Sequence, residues 1–364
     1  MSAPAFAAVC AEIARTGGWI PFDRYLETVL HDARAGFYGS GRVQFGGNGD
    51  FITAPGMSPL FGKMLARQTA QILRAAGGGV LELGAGDGRL AAQLIAELRA
   101  QNIPCEYYIL ETSAALQKRQ RETLAGENAV WISALPDNFC GAVIANEVLD
   151  AAPFLLFAKR RGEWRARGVA LANGALQWEE RPAEKNELTA RLASLNLPDD
   201  YITEICPRAE ALTASVCEML QTGAFIAADY GFGRAEYYHP QRAAGTLMCH
   251  CRGRADSEPL AEPGEKDITA HVDFTAIAEA GTDAGAALAG YTSQAHFLLN
   301  CGIAEVLQKK SESSDAVQYA KLAAGAQKLL APHEMGELFK FIAFAKGNIP
   351  PLIGFASGSR ERQL

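Results

Sequence analysis

Carboxylates, glycines and one histidine stand at the ends of apolar runs in this chain, and their spacing limits the chemistry they can do. The run Val80-Leu81-Glu82-Leu83 enters Gly84-Ala85-Gly86-Asp87-Gly88 and then a helical pattern from Arg89. Glycines so placed let the backbone turn sharply and approach a ligand with no Cβ in the way, while the next helix offers free N–H groups at its start. A pyrophosphate loop reads G-x-G-x-x-G. Here the spacing is G-x-G-x-G and the acid Glu82 precedes it, which points to S-adenosylmethionine rather than a nicotinamide dinucleotide. That ligand has no phosphate to cradle. It carries an amino acid end and a sulfonium, and Glu82 can help hold the ammonium directly or through water.

Further acids follow the later apolar runs. Glu111 ends Glu106–Leu110, 23 residues beyond Gly88, where an acid in a nucleotide fold bonds the ribose hydroxyls. Asn146, Glu147 and Asp150 follow Ala142-Val143-Ile144-Ala145, and Asp229 follows Ala224–Ala228. In a doubly wound sheet the ligand lies outside the carboxyl ends of the strands, so Glu82, Gly84, Gly86, Glu111, Asn146, Glu147 and Asp229 are expected in one neighbourhood. Methyl transfer from a sulfonium is an in-line displacement that needs positioning more than acid–base machinery. An arginine nucleophile is harder, because its guanidinium stays protonated and its lone pair is delocalised. Carboxylates beside it would bind it and draw charge away from the attacking nitrogen. Glu147 and Asp150, three apart, fit that role and Asp229 is the third candidate; His271, with an unperturbed pKa of about 6.5, could accept the departing proton. The structural alternative is that Asp150 and Asp273 cap helices.

The elements that must hold these residues alternate in the α/β manner. From Gly79 the pattern reads strand (Val80–Leu83), helix (Arg89–Ala100), strand (Glu106–Leu110), helix (Ala114–Leu124), strand (Val130–Ile132) and the run Ala142–Ala145. Residues 155–206 interrupt it. There Glu163–Arg167 and Leu176–Glu180 flank Ala172-Asn173-Gly174, a hairpin signal, and Lys159, Arg160, Arg161, Arg165 and Arg167 make the insertion basic, as a solvated face or a docking surface for an acidic partner. After Pro207 a helix and the strand Ala224–Ala228 resume the repeat, and Asp273 is placed to cap a helix over Thr275–Ala280. Helices are expected at 314–330 and 334–346. Ahead of the glycine loop, helical faces at Phe22–Leu30 and Leu60–Leu73 flank a glycine-rich loop over 35–56. The expected division is a cap over 1–76, two halves of a core over 77–154 and 207–346, an inserted element over 155–206 and a tail over 347–364.

Composition sets the outer limits. With 364 residues, 49% hydrophobic and 21% charged, the chain can bury a substantial core. A net charge of −7 lacks the basic excess of a nucleic-acid binder. No apolar stretch approaches the roughly 18 to 20 residues of a membrane span. Met1–Arg15 lacks a leader pattern, so a cytoplasmic protein is expected. Eight cysteines are scattered; Cys249-His250-Cys251 is a poor metal site, because a strand would turn the histidine away from the thiols, and none is expected.

Six motifs occur in order: Gly49–Pro55, Glu82–Gly88, Asn146–Pro153, Asp229–Gly231, Thr269–Phe274 and Met335–Lys340. Together, over about residues 20–346, they resemble the MidA family, class I S-adenosylmethionine-dependent methyltransferases whose mitochondrial members support respiratory complex I assembly. The resemblance implies a doubly wound Rossmann-like methyltransferase sheet of seven strands, with an N-terminal helical cap and an inserted hairpin/helix element facing the substrate. It also implies S-adenosylmethionine as cofactor, with Thr53 and Pro55 joining the residues that bind it, and a protein substrate methylated on arginine, a respiratory-chain subunit in the mitochondrial members. An assembly chaperone that keeps the fold and turns over slowly or not at all is the alternative. Two positions depart from the family: Gly56 stands where a glutamate usually follows the Thr-x-Pro turn, and Ala85 where the loop often has proline.

Overall fold

The computed structural model describes residues 3–44, 46 and 53–364. The stretch Gly49-Asp50-Phe51-Ile52 of the first motif lies outside them. Seven strands build the central sheet: β1 Gly79–Leu83, β2 Tyr107–Leu110, β3 Ala129–Ile132, β4 Phe139–Asn146, β5 Leu220–Phe232, β6 Ala287–Ser293 and β7 Phe339–Lys346. Their order across the sheet is β6-β7-β5-β4-β1-β2-β3, with the two-residue strand Val272–Asp273 added beside the end of β5. The strands from β3 to β5 are parallel, and β7 runs antiparallel between β5 and β6. The chain winds outward from β1 to β3 and returns to β4, so the direction of winding reverses between β1 and β4. That is where such sheets open a ligand crevice.

Alternation of side chains sorts the core into two layers. Val80, Ala142, Ile144, Ile226 and Ala343 face the helices Pro59–Ala76 and Arg89–Ala100, while Leu81, Val143, Ala145, Phe225 and Phe344 face Pro207–Met219 and Phe274–Asp283. Both faces are covered, which is why the strands read as unbroken apolar runs. A fully buried Leu or Phe in either layer contributes about 1.5–3 kcal/mol. Helix Pro59–Ala76, expected in the cap, therefore belongs to the core. The helix expected over 314–330 is present as Ala316–Leu330, its start capped by the Asp315 carboxylate accepting from the N–H of Val317 at 2.9 Å and of Gln318 at 3.0 Å. The helix expected over 334–346 is present only as a short turn over Pro332–Gly336; β7 occupies Phe339–Lys346. Its Phe339-Lys340-Phe341-Ile342-Ala343-Phe344 run is buried between two neighbouring strands, and a short apolar run buried on both sides carries no period by which helix and strand can be told apart.

Cap and insertion, separate in the sequence, share one sheet. Trp19–Pro21 pairs with Glu163–Ala172, which also pairs with Leu155–Arg160 and Ala175–Pro182, and Ile202–Ile205 closes the far edge. Asn173 and Gly174 turn the hairpin with φ of 53° and 77°, the left-handed pair a tight two-residue turn requires. Phe22, Tyr25 and Leu26 of the cap pack on Phe154, Leu156 and Val169. The basic side chains of the insertion are largely paired: Lys159 donates to the Leu197 carbonyl at 2.6 Å, Arg160 binds Glu180 and Asp200, and Arg167 lies 4.4 Å over the Trp178 ring. This favours the solvated-face reading over a docking surface. A third sheet, Met248–Cys251 with Arg254–Asp256 and Asp267–Thr269, walls the crevice from the other side. Among the described residues no helix is long and apolar enough to cross a membrane, and no group of three or more His, Cys, Asp or Glu side chains is placed to hold a metal ion.

Candidate active site

A cavity of ≈ 1190 Å³ opens at the carboxyl ends of β1, β2 and β4. It exceeds the ~300–1,000 Å³ of an ordinary small-molecule pocket, leaving room for a donor and an acceptor side chain together. The glycine loop forms its floor. Gly84, Gly86 and Gly88 have φ of 60°, 54° and 81°, and a Cβ on Gly84 would stand 3.2 Å from Val148 Cγ2. Behind the loop, Glu82 is 2% exposed and accepts from the Tyr107 hydroxyl at 2.6 Å; burial pushes its carboxyl up to about 7. Glu111 is held at both oxygens, one accepting from Ser113 N–H at 2.8 Å and the other from Gln120 Nε2 at 2.9 Å. Each oxygen keeps a lone pair for a hydroxyl in the cavity. Thr53 and Pro55 reach the same cavity from the short helix Ala54–Met57, whose Pro55 carbonyl accepts from Gln93 Nε2 at 3.0 Å. The expected binding residues Glu82, Gly84, Gly86, Glu111, Thr53, Pro55 and Asn146 thus all line one space. Backbone-faced glycines, a hydroxyl-accepting carboxylate and a buried acid suit a ligand with ribose and an amino acid end.

The opposite end is acidic. Glu147 follows β4 with φ of 56°, a left-handed conformation that a glutamate adopts only when its surroundings hold it there. Its N–H donates to the Ala228 carbonyl at 2.9 Å, and its Oε1 accepts from Asn146 Nδ2 at 3.0 Å and Ala54 N–H at 3.4 Å. Burial, with Asp150 and Asp267 close by, pushes Glu147 up to about 8. Asp150 is raised to about 6, chiefly by burial. Tyr38 donates to Asp267 Oδ1 at 2.7 Å, and Tyr230 donates to Thr269 Oγ1 beside Asp150.

Two expected roles change. Asp229 does not line the cavity: its Oδ2 accepts from the N–H of Leu149 at 2.9 Å and Asp150 at 3.3 Å, and its Oδ1 from Tyr230 N–H. It is a positioning residue that holds the turn bearing Glu147 and Asp150. His271 does line the cavity, stacked 5.1 Å from the Phe232 ring and edge-on to Tyr230 at 5.0 Å. Burial and the Arg242 cation push its imidazole down to about 4, so it is neutral at physiological pH and a poor resting place for a proton. Asp273, as expected, caps its helix, whereas Asp150 caps none. Tyr38, Asp267 and Tyr230 were missed as site residues. Tyr38 lies in the glycine-rich loop over 35–56, and Asp267 precedes the Thr269–Phe274 motif, but neither stands at the end of a core strand. Cys249 is buried in the cap cluster while His250 lines the cavity, the opposite facing that strand alternation dictates.

A sheet of order β3-β2-β1-β4-β5-β7-β6 with one reversed strand, a glycine loop after β1 and a cavity beyond the carboxyl ends define a class I S-adenosylmethionine-dependent methyltransferase. Residues 64–292 match the family described as "Putative S-adenosyl-L-methionine-dependent methyltransferase", and the chain belongs to that family. A Burkholderia thailandensis protein crystallised with S-adenosyl-homocysteine superimposes with a TM-score of 0.96 at 48% identity, over 100% of this chain and 97% of that one. Curated relatives include the protein arginine methyltransferase NDUFAF7 homologue, mitochondrial, of Drosophila melanogaster, 28% identical over 95% of this chain and 87% of that protein. The Homo sapiens protein arginine methyltransferase NDUFAF7, mitochondrial, is 26% identical over 90% of this chain and 80% of its own length. The chain is an enzyme of this class and uses S-adenosylmethionine. The expectation of a cytoplasmic protein is corrected by these relatives, which are named as mitochondrial. It rested on the composition of Met1–Arg15, and that composition reports packing: Ala3–Arg15 is a helix with Ala5, Val9 and Ile13 buried.

Proposed function

We propose that this methyltransferase acts on an arginine side chain of a partner protein. The observation that carries the reading is the acidic end of the cavity, where Glu147, Asp150 and Asp267 converge across from the glycine loop. S-adenosylmethionine supplies an electrophilic methyl group on a sulfonium. The loop Gly84–Gly88, with Glu111 on the ribose and Glu82 behind the amino acid end, would fix that methyl's direction. Glu147 and Asp150 would grip the guanidinium and favour the resonance form that leaves the attacking nitrogen its lone pair. A sheltered, largely protonated Glu147 ionises when a cation arrives beside it, because an opposite charge favours its charged form. The names of the NDUFAF7 relatives agree with an arginine acceptor on a protein. A non-catalytic chaperone has no such use for a sheltered acidic end and a donor loop in the same cavity.

The test is mass spectrometry of an arginine-containing peptide pool incubated with the protein and S-adenosylmethionine. Arginine-methylated products that vanish with Glu147→Gln are expected. Methylation confined to other residue types, or none at all from a chain that binds S-adenosyl-homocysteine, would overturn the assignment.

A further inference from the structure

A second, much smaller cavity of ≈ 30 Å³ lies behind the site, walled by the helix Phe274–Asp283, the strand Ile202–Ile205 and the turn after β4. Asp150, Ala152 and His271 are walls of both cavities. Five residues of its walls each carry a fully buried polar atom with no hydrogen-bond partner: Asp150 Oδ1, His271 Nδ1, Tyr238 Oη, Arg191 Nε and Asp273 Oδ2. Asp150 is 7% and Tyr238 6% exposed. Leaving such groups unpaired costs about 1–3 kcal/mol apiece, more where charged, so five around one void is not a stable dry arrangement. Other bonds explain why these atoms are left over. Asp273 uses Oδ1 to cap its helix, accepting from Thr275 N–H at 3.1 Å and Ala276 N–H at 3.3 Å, and Arg191 uses both terminal nitrogens on Glu210 at 2.9 and 3.0 Å. A void of this size holds about two waters, each needing two to four polar partners.

We propose that this cavity holds ordered water joining Asp150 to Asp273, and that this buried chain carries away the proton released at the acceptor nitrogen. The inference rests on the proposed arginine acceptor. In the transfer, the nitrogen lone pair forms the N–CH3 bond, the S–CH3 pair returns to sulfur as a neutral thioether, and the nitrogen loses one proton. Asp150, the carboxylate common to both cavities, takes that proton; the water takes it from Asp150 and gives one of its own to Asp273, whose side chain is 11% exposed and releases it to solvent there. His271 is a positioning residue whose Nδ1 bonds the water and sets its orientation.

The test uses the full chain with S-adenosyl-homocysteine. A crystal structure at about 1.2 Å resolution should show water within hydrogen-bond distance of His271 Nδ1, Tyr238 Oη and Asp273 Oδ2. Ala276→Leu fills the cavity, and Tyr238→Phe removes one partner without adding bulk. Both should keep S-adenosyl-homocysteine affinity within about twofold while single-turnover methylation of the arginine peptide pool falls about tenfold or more, less than the roughly 10²- to 10⁴-fold that proton transfer ordinarily contributes because the accepting carboxylate of Asp150 is retained. A dry cavity, or wild-type single-turnover rates in Tyr238→Phe, would overturn the proposal. A wild-type chain that methylates no arginine peptide yet shows the ordered water would count against the acceptor assignment instead.

Discussion

Glu147 concentrates the chemistry of the site at one residue. It sits in a left-handed backbone, held by Ala228, Asn146 and Ala54, with its carboxyl pushed up to about 8. A carboxyl raised in the folded state binds more protons there than in the unfolded chain. Stability therefore falls as pH rises from about 4.5 to about 8, at up to about 1.4 kcal/mol per unit. Glu147→Gln removes that slope. The variant should match the wild type in thermal stability near pH 4.5 and exceed it by a margin that widens to pH 8 and then stops growing; a margin independent of pH would contradict the assignment. In turnover the same change should cost about 10²- to 10⁴-fold, read in single-turnover assays, with S-adenosyl-homocysteine affinity nearly unchanged.

At the scale of elements, the strand-to-helix loop after β1 and the turn after β4 decide whether anything binds. Gly84 at φ 60° faces Val148 on that turn, so Gly84→Val adds backbone strain of about 1–3 kcal/mol and a clash. Calorimetry should show S-adenosyl-homocysteine binding weakened about 10- to 100-fold or lost. Asp229 acts on the turn from β5, and Asp229→Ala would leave the N–H groups of Leu149, Asp150 and Tyr230 without their acceptor. A loss of about 1–3 kcal/mol in stability is expected by denaturant titration, together with lost turnover from a displaced Glu147. Turnover retained at the wild-type level would show that the turn is held by other means.

For the whole molecule, the cap and the insertion act as one layer because Trp19–Pro21 adds a strand to the inserted sheet. A Cβ at Gly168 would come within 2.2 Å of the Ile20 carbonyl oxygen and 2.6 Å of the Trp19 ring. Gly168→Val should therefore loosen the cap while leaving the central sheet intact, seen as faster amide exchange over Trp19–Pro21 with protection of β4 and β5 retained. Donor binding should in turn stabilise the chain by about 2.7 kcal/mol at a hundredfold excess over Kd, since the ligand binds only the folded state.

The residues along the chain determined the sheet from β1 to β5, the glycine loop and its ligand class, because local rules govern them: buried runs make strands, and G-x-G-x-G after a strand leaves backbone exposed to a ligand. They also marked Glu147, whose place at the end of β4 follows from strand topology. Only the tertiary structure decided that Phe339–Lys346 is a strand, since strands had to pair with both its edges and helices had to cover both its faces. Only folding turned Asp229 inward to a backbone turn and left Asp150 between two cavities. A side chain's direction and its burial are set by what packs around it, and those neighbours come from segments far apart in the chain.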